Sequence, residues 1–299
     1  MARQLLRRKA ASAALIIIVL VYVAGALAPW VSPYDFRRQD LDHTLASPSL
    51  DHPLGTDSLG RDVLSRVIWG ARTNAVVTLA ATLTGSLLLG VLLGAVAGYL
   101  GRWADAVIMR LGDAFLAFPS LLLVIFLAAT VKPRVVDWAD RLAGIPGLGW
   151  LDTSAAPDYL TIFGALALFS WVPVARLVRV QFLSLREEPF VEAARACGAS
   201  SWRAIVHHML PNAAGPVVVL ASFNMGAAAG SEVLLSWLGV GVQPPQPSWG
   251  LMIADGQALS TLETAPHVFL APAVIVTLMI LAFNLLGDAL SDALNPRLR

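Results

Sequence analysis

The chain has 299 residues, of which 57% are hydrophobic and only 14% are charged, and its formal net charge is +1. Soluble domains carry about 25% charged residues, whereas the mean hydropathy of this chain is +0.69. This composition excludes an ordinary soluble domain and predicts an integral membrane protein.

Six stretches are apolar enough to cross a hydrocarbon core about 30 Å thick, which needs a helix of about 20 residues. They cover roughly residues 11–29, 75–99, 114–131, 160–178, 213–238 and 267–287. Most of the 21 Lys and Arg residues fall on the side of the N-terminus, and such residues favour cytoplasmic loops. We therefore expect an all-α protein with six spans and with both termini in the cytoplasm.

The first stretch has the features of a membrane anchor. Basic residues precede it, and Ala26-Leu27-Ala28 is similar to a signal-peptide cleavage site. Its apolar run over residues 10–28 is nevertheless longer than the roughly 7 to 15 residues of a signal-peptide core. An uncleaved anchor is the favoured interpretation, and a cleaved signal peptide is the alternative.

Small residues recur every four positions in the second and fifth stretches. The second contains Ser86, Gly90, Gly94 and Gly98, and the fifth contains Ser222, Gly226 and Gly230. Faces of small residues let helices approach closely in lipid. The pattern predicts close helix contacts, either within the chain or across a subunit interface.

Two polar residues of the fifth stretch, Asn224 and Glu232, are candidates for lining a transport pathway. An ionisable residue inside a bilayer is costly, so Glu232 is a candidate functional residue. The alternative is a place near the outer interface, because Trp237 and a proline-rich segment follow shortly after it.

A polar segment, residues 187–211, lies between the fourth and fifth stretches and has the pattern of two short helices. Pro189 suits a first helical turn. Ala193 and Ala194 are strong helix formers, and Gly198 can adopt the left-handed conformation that ends a helix. We call this segment the hairpin and expect its face of small residues to lie against another protein.

The second helix of the hairpin can be capped by Ser200 or Ser201 and can run to Met209. Pro211 then marks a boundary before the next span. A basic helix–turn–helix could also suggest DNA binding, but acidic residues and the position between spans argue against nucleic acid. Cys197, in the turn, is interpreted as a small packing residue.

Motifs for catalysis and metal binding are missing from the sequence. A P-loop needs Gly-Lys-Ser/Thr, and neither of the two lysines, Lys9 and Lys132, follows a glycine. His207 and His208 would point to different faces of a helix, without a cysteine at the spacing of a zinc site. We expect no catalytic residue, no metal and no cofactor in this chain.

Three motifs together carry a resemblance to a known family. The spacing of Glu192-Ala193-Ala194, Gly198 and Leu210-Pro211 resembles the EAA loop of ABC importer permeases. Residues 52–66 and 231–250 resemble segments of DppC/OppC-type permeases, one half of the dipeptide, oligopeptide and nickel importers.

Two features depart from the family: His208 stands where Ile is usual, with Ile205 one turn earlier, and the outside stretch 132–159 is long. That stretch predicts a turn-rich cap or a short amphipathic helix.

The resemblance implies a MetI-like permease fold in the bacterial cytoplasmic (inner) membrane. Residues 1–73 would form the anchor and a periplasmic segment, and residues 74–299 the permease core with its coupling loop at 187–211. The implied partners are a DppB/OppB-type permease, two P-loop ATPases that bind ATP and Mg, and an extracytoplasmic substrate-binding protein, besides membrane lipid. The residues expected to contact the ATPase are Glu192, Ala193, Ala194, Arg195 and Gly198.

Other interpretations of function stay open. The cargo implied by the resemblance is a di- or oligopeptide, with nickel or another small solute as the alternative. A secondary transporter would show internal repeats, and no clear repeat is visible. A membrane enzyme would need a group of catalytic side chains, which the sequence lacks.

Overall fold

The computed structural model describes residues 9–143 and 156–294, and within them the regular structure is helical apart from one isolated bridge between Thr56 and Asp62. In chain order the helices are α1 (Lys9–Ala26), α2 (Ala28–Val31), α3 (Val63–Leu100), α4 (Arg102–Ala117), α5 (Ser120–Ala143), α6 (Ala156–Leu185), α7 (Pro189–Ala196), α8 (Ser201–Trp237), α9 (Trp249–Gly256), α10 (Leu259–Thr264) and α11 (His267–Leu294), with a 3-10 turn at Leu41–His43.

Five helices, α1, α3, α6, α8 and α11, are long and apolar enough to cross a membrane. The bent pair α4 and α5 makes a sixth candidate if it is counted as one span. The prediction of an all-α membrane fold is therefore confirmed, with five or six candidate spans in the described part of the chain.

The third predicted span, residues 114–131, is not one continuous helix. The chain breaks between α4 and α5, which lie at 91° to each other. Phe118 at the break has the extended backbone angles φ −94° and ψ 143°, because a proline at position 119 disfavours the helical conformation of the residue before it. As a result α4 runs across the direction of α5.

The helices α3 and α8 are longer than the spans expected there, with 38 and 37 residues. Each contains a segment of wider, π-type turns, over Thr82–Gly90 in α3 and Ala204–Met209 in α8. The boundary predicted at Pro211 is present as a change of helix type: the wider turns of α8 end at Met209, and Pro211 lies in the first turn of the regular segment Leu210–Trp237. The helix itself continues through this position.

Two sequence-based divisions fall differently on the structure. The proposed division after residue 73 falls inside α3, so it remains a prediction about sequence organisation. In the stretch 132–159, which the sequence predicts to lie outside, residues 132–143 continue α5 and residues 156–159 begin α6. The turn-rich cap expected between them lies at residues 144–155, outside the described residues.

The packed interior joins the long helices. One apolar cluster brings α1, α3, α8, α9 and α11 together through buried residues that include Ala14, Val63, Val233, Trp249 and Phe283. A second cluster joins α6 to both helices of the hairpin through Phe182, Val191 and Met209. The hairpin is therefore anchored to the spans from which it projects.

Candidate functional site

The hairpin has the geometry that its sequence predicts. Pro189 lies in the first turn of α7. Gly198 has φ +83°, the left-handed conformation that follows a helix, and its N–H donates to the Arg195 carbonyl at 2.9 Å. The Ser200 hydroxyl caps α8 by accepting from the Arg203 N–H at 3.4 Å. The predicted helix–turn–helix is confirmed in these contacts.

One side of the hairpin is buried and the other is free for contact. Val191 and Met209 are buried beside Phe182, and Ile205 packs partly against the same cluster. The exposed side carries acidic, small and aromatic groups: Glu192, Ala193 and Gly198 are exposed, as are Phe190 and Trp202, while Ala194 is half-buried. An apolar base with an exposed mixed surface suits a docking surface.

One residue of the hairpin differs from expectation. Cys197 is exposed, so its interpretation as a packing residue is wrong: it lies at the end of α7, where no other described element covers it. The Arg195 guanidinium lies 5.1 Å from the centre of the Tyr99 ring of α3. Arg195 thus makes a cation–π interaction within its own chain.

A cavity of about 240 Å³ lies between α5, α6 and α8, and Asn224 lines it. The Asn224 side-chain amide donates to the Ser86 hydroxyl at 3.1 Å, and this hydroxyl donates to the Ser170 carbonyl at 3.3 Å. The α8 part of the lining comes from Asn224, Ala227, Ala228, Ser231, Leu234 and Leu235. Their spacing places these residues along one side of the helix. The polar groups of the lining are hydroxyl and amide groups without charge.

Glu232 is fully buried and is not part of the cavity lining. Its carboxylate accepts hydrogen bonds from the Asn74 amide at 2.8 Å and from the Ser236 hydroxyl at 3.0 Å. Asn74 also accepts from the Tyr22 hydroxyl at 3.2 Å. The structure therefore brings Asn224 to the cavity and places Glu232 in a polar contact between α8, α3 and α1.

The small-residue stripe of α3 faces α6 of the same chain. A Cβ atom added to Gly90 would lie 2.7 Å from the Val174 Cβ, and one added to Gly94 would lie 2.6 Å from the Ala175 carbonyl oxygen. Gly98 is equally close to Phe182. Of the two alternatives that the sequence left open for this stripe, the contact within the chain is the one observed.

The stripe of α8 meets α11. A Cβ atom on Gly226 would lie 3.0 Å from the Phe283 Cβ, and one on Gly230 would lie 3.4 Å from Ile280. Ser222, the third member, is buried and donates to the Val218 carbonyl within its own helix. Both stripes are therefore packing surfaces inside this chain.

Sequence reasoning missed a cluster of charges before α3. The carboxylate of Asp57 is buried and accepts from the backbone N–H of Leu59 and of Arg61, at 2.9 and 3.0 Å. It also pairs with the Arg61 side chain at 2.7 Å and with Arg66, and both arginines lie 3.6 Å from Asp255 of α9. The short spacing of Asp57, Arg61 and Arg66 was an available signal, whereas nothing in the sequence points to Asp255.

The described residues give no sign of a metal centre. Within residues 9–143 and 156–294, no group of three or more His, Cys, Asp or Glu side chains is arranged to hold an ion. His207 is exposed and His208 is half-buried, as expected for neighbours on different faces of a helix. The chemistry of the site consists of hydrogen bonds, charge and surface contact.

The chain matches known proteins over nearly all its length. Residues 90–299 match the family described as binding-protein-dependent transport system inner membrane component, and residues 1–48 match the N-terminal TM domain of oligopeptide transport permease C. Similar relatives include the dipeptide transport system permease protein DppC of Alkalihalophilus pseudofirmus, 36% identical over 99% of this chain and 89% of the relative. Others are the glutathione transport system permease protein GsiD of Pectobacterium atrosepticum, 37% identical over 99% and 90%, and DppC of Bacillus subtilis, 38% identical over 99% and 85%. The chain therefore belongs to the family of binding-protein-dependent transport system inner membrane components, as a multi-pass, non-catalytic permease subunit of an ABC importer.

Proposed function

We propose that this subunit forms half of the translocation pathway of an importer for di- or oligopeptides. The observation that carries the proposal is the hairpin, whose exposed side bears Glu192 while its buried side is anchored on α6 through Val191 and Phe182. The names of the relatives support a peptide as cargo, since dipeptides and glutathione are both short peptides.

The partners of the subunit follow from the same reasoning. The hairpin contacts one of two P-loop ATPases, which bind ATP and Mg. A DppB/OppB-type permease supplies the other half of the pathway, and an extracytoplasmic binding protein delivers the peptide. Both termini and the hairpin lie in the cytoplasm, which agrees with the excess of Lys and Arg on that side and with the place where ATP is available.

The mechanism is alternating access driven by movement of the hairpin. ATP binding closes the two ATPases, and the exposed surface around Glu192, Ala193, Ala194 and Gly198 moves with them. Since α7 is packed on α6 and the hairpin continues directly into α8, both spans follow this movement. Asn224 and Ser231 of α8 then change their position in the cavity between α5, α6 and α8.

Asn224 and Glu232 have different roles in this proposal. Asn224 lines the pathway and offers an amide to the peptide groups of the cargo. Glu232 holds α8 against α3 through Asn74. The described cavity lining offers no imidazole and no carboxylate, the ligands that would suit nickel. Its uncharged hydroxyl and amide groups favour a peptide as cargo.

The test is ATP-dependent uptake by the complete complex. The subunit is purified with its partner permease and ATPases, reconstituted in vesicles with the binding protein, and assayed with a radiolabelled dipeptide, with glutathione and with nickel. Uptake of a peptide supports the proposal, and uptake of nickel alone contradicts it.

The variant Glu192→Ala then tests the role of the hairpin. It should lower uptake and substrate-stimulated ATP hydrolysis by about tenfold, within the usual range of coupling between two sites. The matched control is Glu263→Ala, which removes another exposed carboxylate, on α10. Wild-type uptake by a normally assembled Glu192→Ala complex would remove Glu192 from the mechanism.

A further inference from the structure

Two ion pairs join α4 to α6. The Arg179 guanidinium donates to both carboxylate oxygens of Asp105, through Nε to Oδ1 and through Nη2 to Oδ2 at 2.6 Å. Arg176 donates to Asp113 at 2.5 Å. The side chains of the first pair are 30% and 20% exposed, against 47% and 64% for the second. The first pair is the stronger, because it is bidentate and better shielded from water.

An apolar contact adjoins the two ion pairs. The residues of α4 that form it are Ile108, Met109 and Phe115, and they pack on Trp171, Val172 and Ala175 of α6. A Cβ atom added to Gly112 would lie 3.0 Å from the Val172 Cγ1. Charged and apolar contacts thus follow one face of α4 at helical spacing, so this face is fixed to α6 along most of its length.

The hairpin contacts the end of α3, next to the turn that leads into α4. Gly101, with φ +61°, forms the turn between α3 and α4, and Arg186, just beyond the end of α6, lies beside it. Arg195 of α7 stacks on Tyr99, two residues before this turn. A displacement of α7 therefore acts on α4 both through α6 and at the turn that leads into α4.

The other end of α4 leads to the cavity. After the 91° bend, α5 begins at Ser120, and Ser120, Leu121 and Val124 form the α5 part of the cavity lining. A rotation of α4 must therefore move the beginning of α5, because only Phe118 and Pro119 separate the two helices.

We propose that Asp105 and Arg179 are positioning residues that make α4 move as one body with the hairpin end of α6. Movement of the hairpin then reaches the cavity through the bend, as a displacement of Ser120 and Leu121. This inference rests on the proposed function, because it assigns α4 a part in the same transport cycle. The opposite face of α4, with Trp103, is exposed, so the position of α4 is set by its contacts with α6 and with the end of α3, where Leu93 joins the same apolar cluster.

Charge reversal in the reconstituted complex tests the pair. Asp105→Arg and Arg179→Asp should each lower peptide uptake by about tenfold while basal ATP hydrolysis stays at the wild-type rate, so that more ATP is used per peptide. The double variant should regain most of the lost uptake, since the pair reforms with the charges exchanged. Arg110→Asp, an equal charge change at an exposed position of α4, is the matched control and should transport normally.

The ratio of peptide taken up to ATP hydrolysed separates a positioning role from a merely structural one. Loss of folding would lower uptake and hydrolysis together and reduce the amount of assembled complex. Wild-type uptake in both single variants, or a double variant no better than the singles, overturns the proposal. If the wild-type complex itself takes up no peptide with ATP, the proposed function fails instead.

A covalent link provides a second, independent test. Gly112→Cys with Val172→Cys, in a Cys197→Ser background that removes the single native cysteine, places two thiols at a close contact of α4 and α6. If the helices move as one body, the oxidised complex, with the cross-link verified by mass spectrometry, takes up peptide as fast as the reduced one. Loss of uptake on oxidation, restored by reduction, would show that α4 leaves α6 during transport and would overturn the proposal.

Discussion

Asn74 of α3 donates a hydrogen bond of 2.8 Å to Glu232 of α8, across 158 positions of the chain. The same amide donates to the Ala229 carbonyl at 3.2 Å and accepts from Tyr22 of α1. Asn74 and Glu232 are both buried. Their contact therefore fixes the position of α8, the helix that carries Asn224, relative to α3 and α1.

Replacement of Glu232 should destabilise the subunit according to the hydrogen bonds that are lost. Glu232→Leu leaves the donors of Asn74 and Ser236 buried without their acceptor, at a cost of about 1–3 kcal/mol for each unsatisfied group. Glu232→Gln keeps an oxygen that accepts from Asn74, and its amide N–H can donate a hydrogen bond to the Ser236 hydroxyl. Thermal unfolding in detergent should give a clearly lower midpoint for Leu and a value near that of the wild type for Gln. Equal midpoints for Leu and wild type would contradict this role of Glu232.

The sequence indicates that Asn224 and Glu232 are important but cannot separate their roles. The two residues are eight positions apart, which corresponds to about 80° around a helix with 3.6 residues per turn. Both could therefore belong to one polar face. What separates them is the identity of the neighbours, with Asn74 on one side of α8 and the cavity on the other, and contacts between distant segments are not encoded in the local pattern.

The hairpin was predictable because its signals are local, while the course of α4 and α5 was not. Pro189, Gly198 and Ser200 each act on the backbone within a few residues, so their positions alone indicate two helices and a turn. In residues 114–131 the apolar character continues across the bend, and the hydropathy of the segment hides it. The available signal was Pro119, which disfavours a helical residue before it.

Addition of a single methyl group at Gly94 should disturb the packing of α3 on α6. In Gly94→Ala the new Cβ would lie 2.6 Å from the Ala175 carbonyl oxygen and 2.7 Å from the Val178 Cβ, so the helices must separate, at a cost of about 1–3 kcal/mol. Gly164→Ala is the matched control on α6, since its Cβ meets nothing within 4 Å. For the purified subunit, Gly94→Ala alone should lower the temperature of thermal unfolding and the fraction of folded protein that elutes as a single peak in size-exclusion chromatography. A stable Gly94→Ala protein would mean that the two helices pack less closely than described.

Gly198 should be replaceable by asparagine and not by valine. Its Cβ position meets nothing within 4 Å in the described chain, so the packing of this chain demands only its φ of +83°. Asparagine tolerates the left-handed region, whereas a β-branched residue does not, and such strain costs about 1–3 kcal/mol. In the reconstituted complex, Gly198→Val should lower uptake per ATP hydrolysed, and Gly198→Asn should not.

The control for Gly198 is Gly239, which has φ +76° and equally open space but lies beyond the end of α8. Gly239→Val introduces the same kind of strain away from the hairpin. It should lower the unfolding temperature without changing the ratio of uptake to ATP hydrolysis. If Gly239→Val uncouples the complex as strongly as Gly198→Val, the effect of Gly198 cannot be assigned to the hairpin turn.

Asn224 should contribute to transport through the cavity and only secondarily through its bond to Ser86. Asn224→Leu removes the amide from the lining as well as the hydrogen bond of 3.1 Å. Ser86→Ala removes that bond, together with the bond from Ser86 to the Ser170 carbonyl, and leaves the amide in the cavity. We expect Asn224→Leu to lower peptide uptake by about tenfold, which corresponds to roughly 1.4 kcal/mol at the peptide contact, and Ser86→Ala to have a much smaller effect. Thr277→Val, at an exposed hydroxyl of α11 that bonds only to its own helix, should transport normally. Equal losses in Asn224→Leu and Ser86→Ala would assign the role of Asn224 to helix packing and remove it from the pathway.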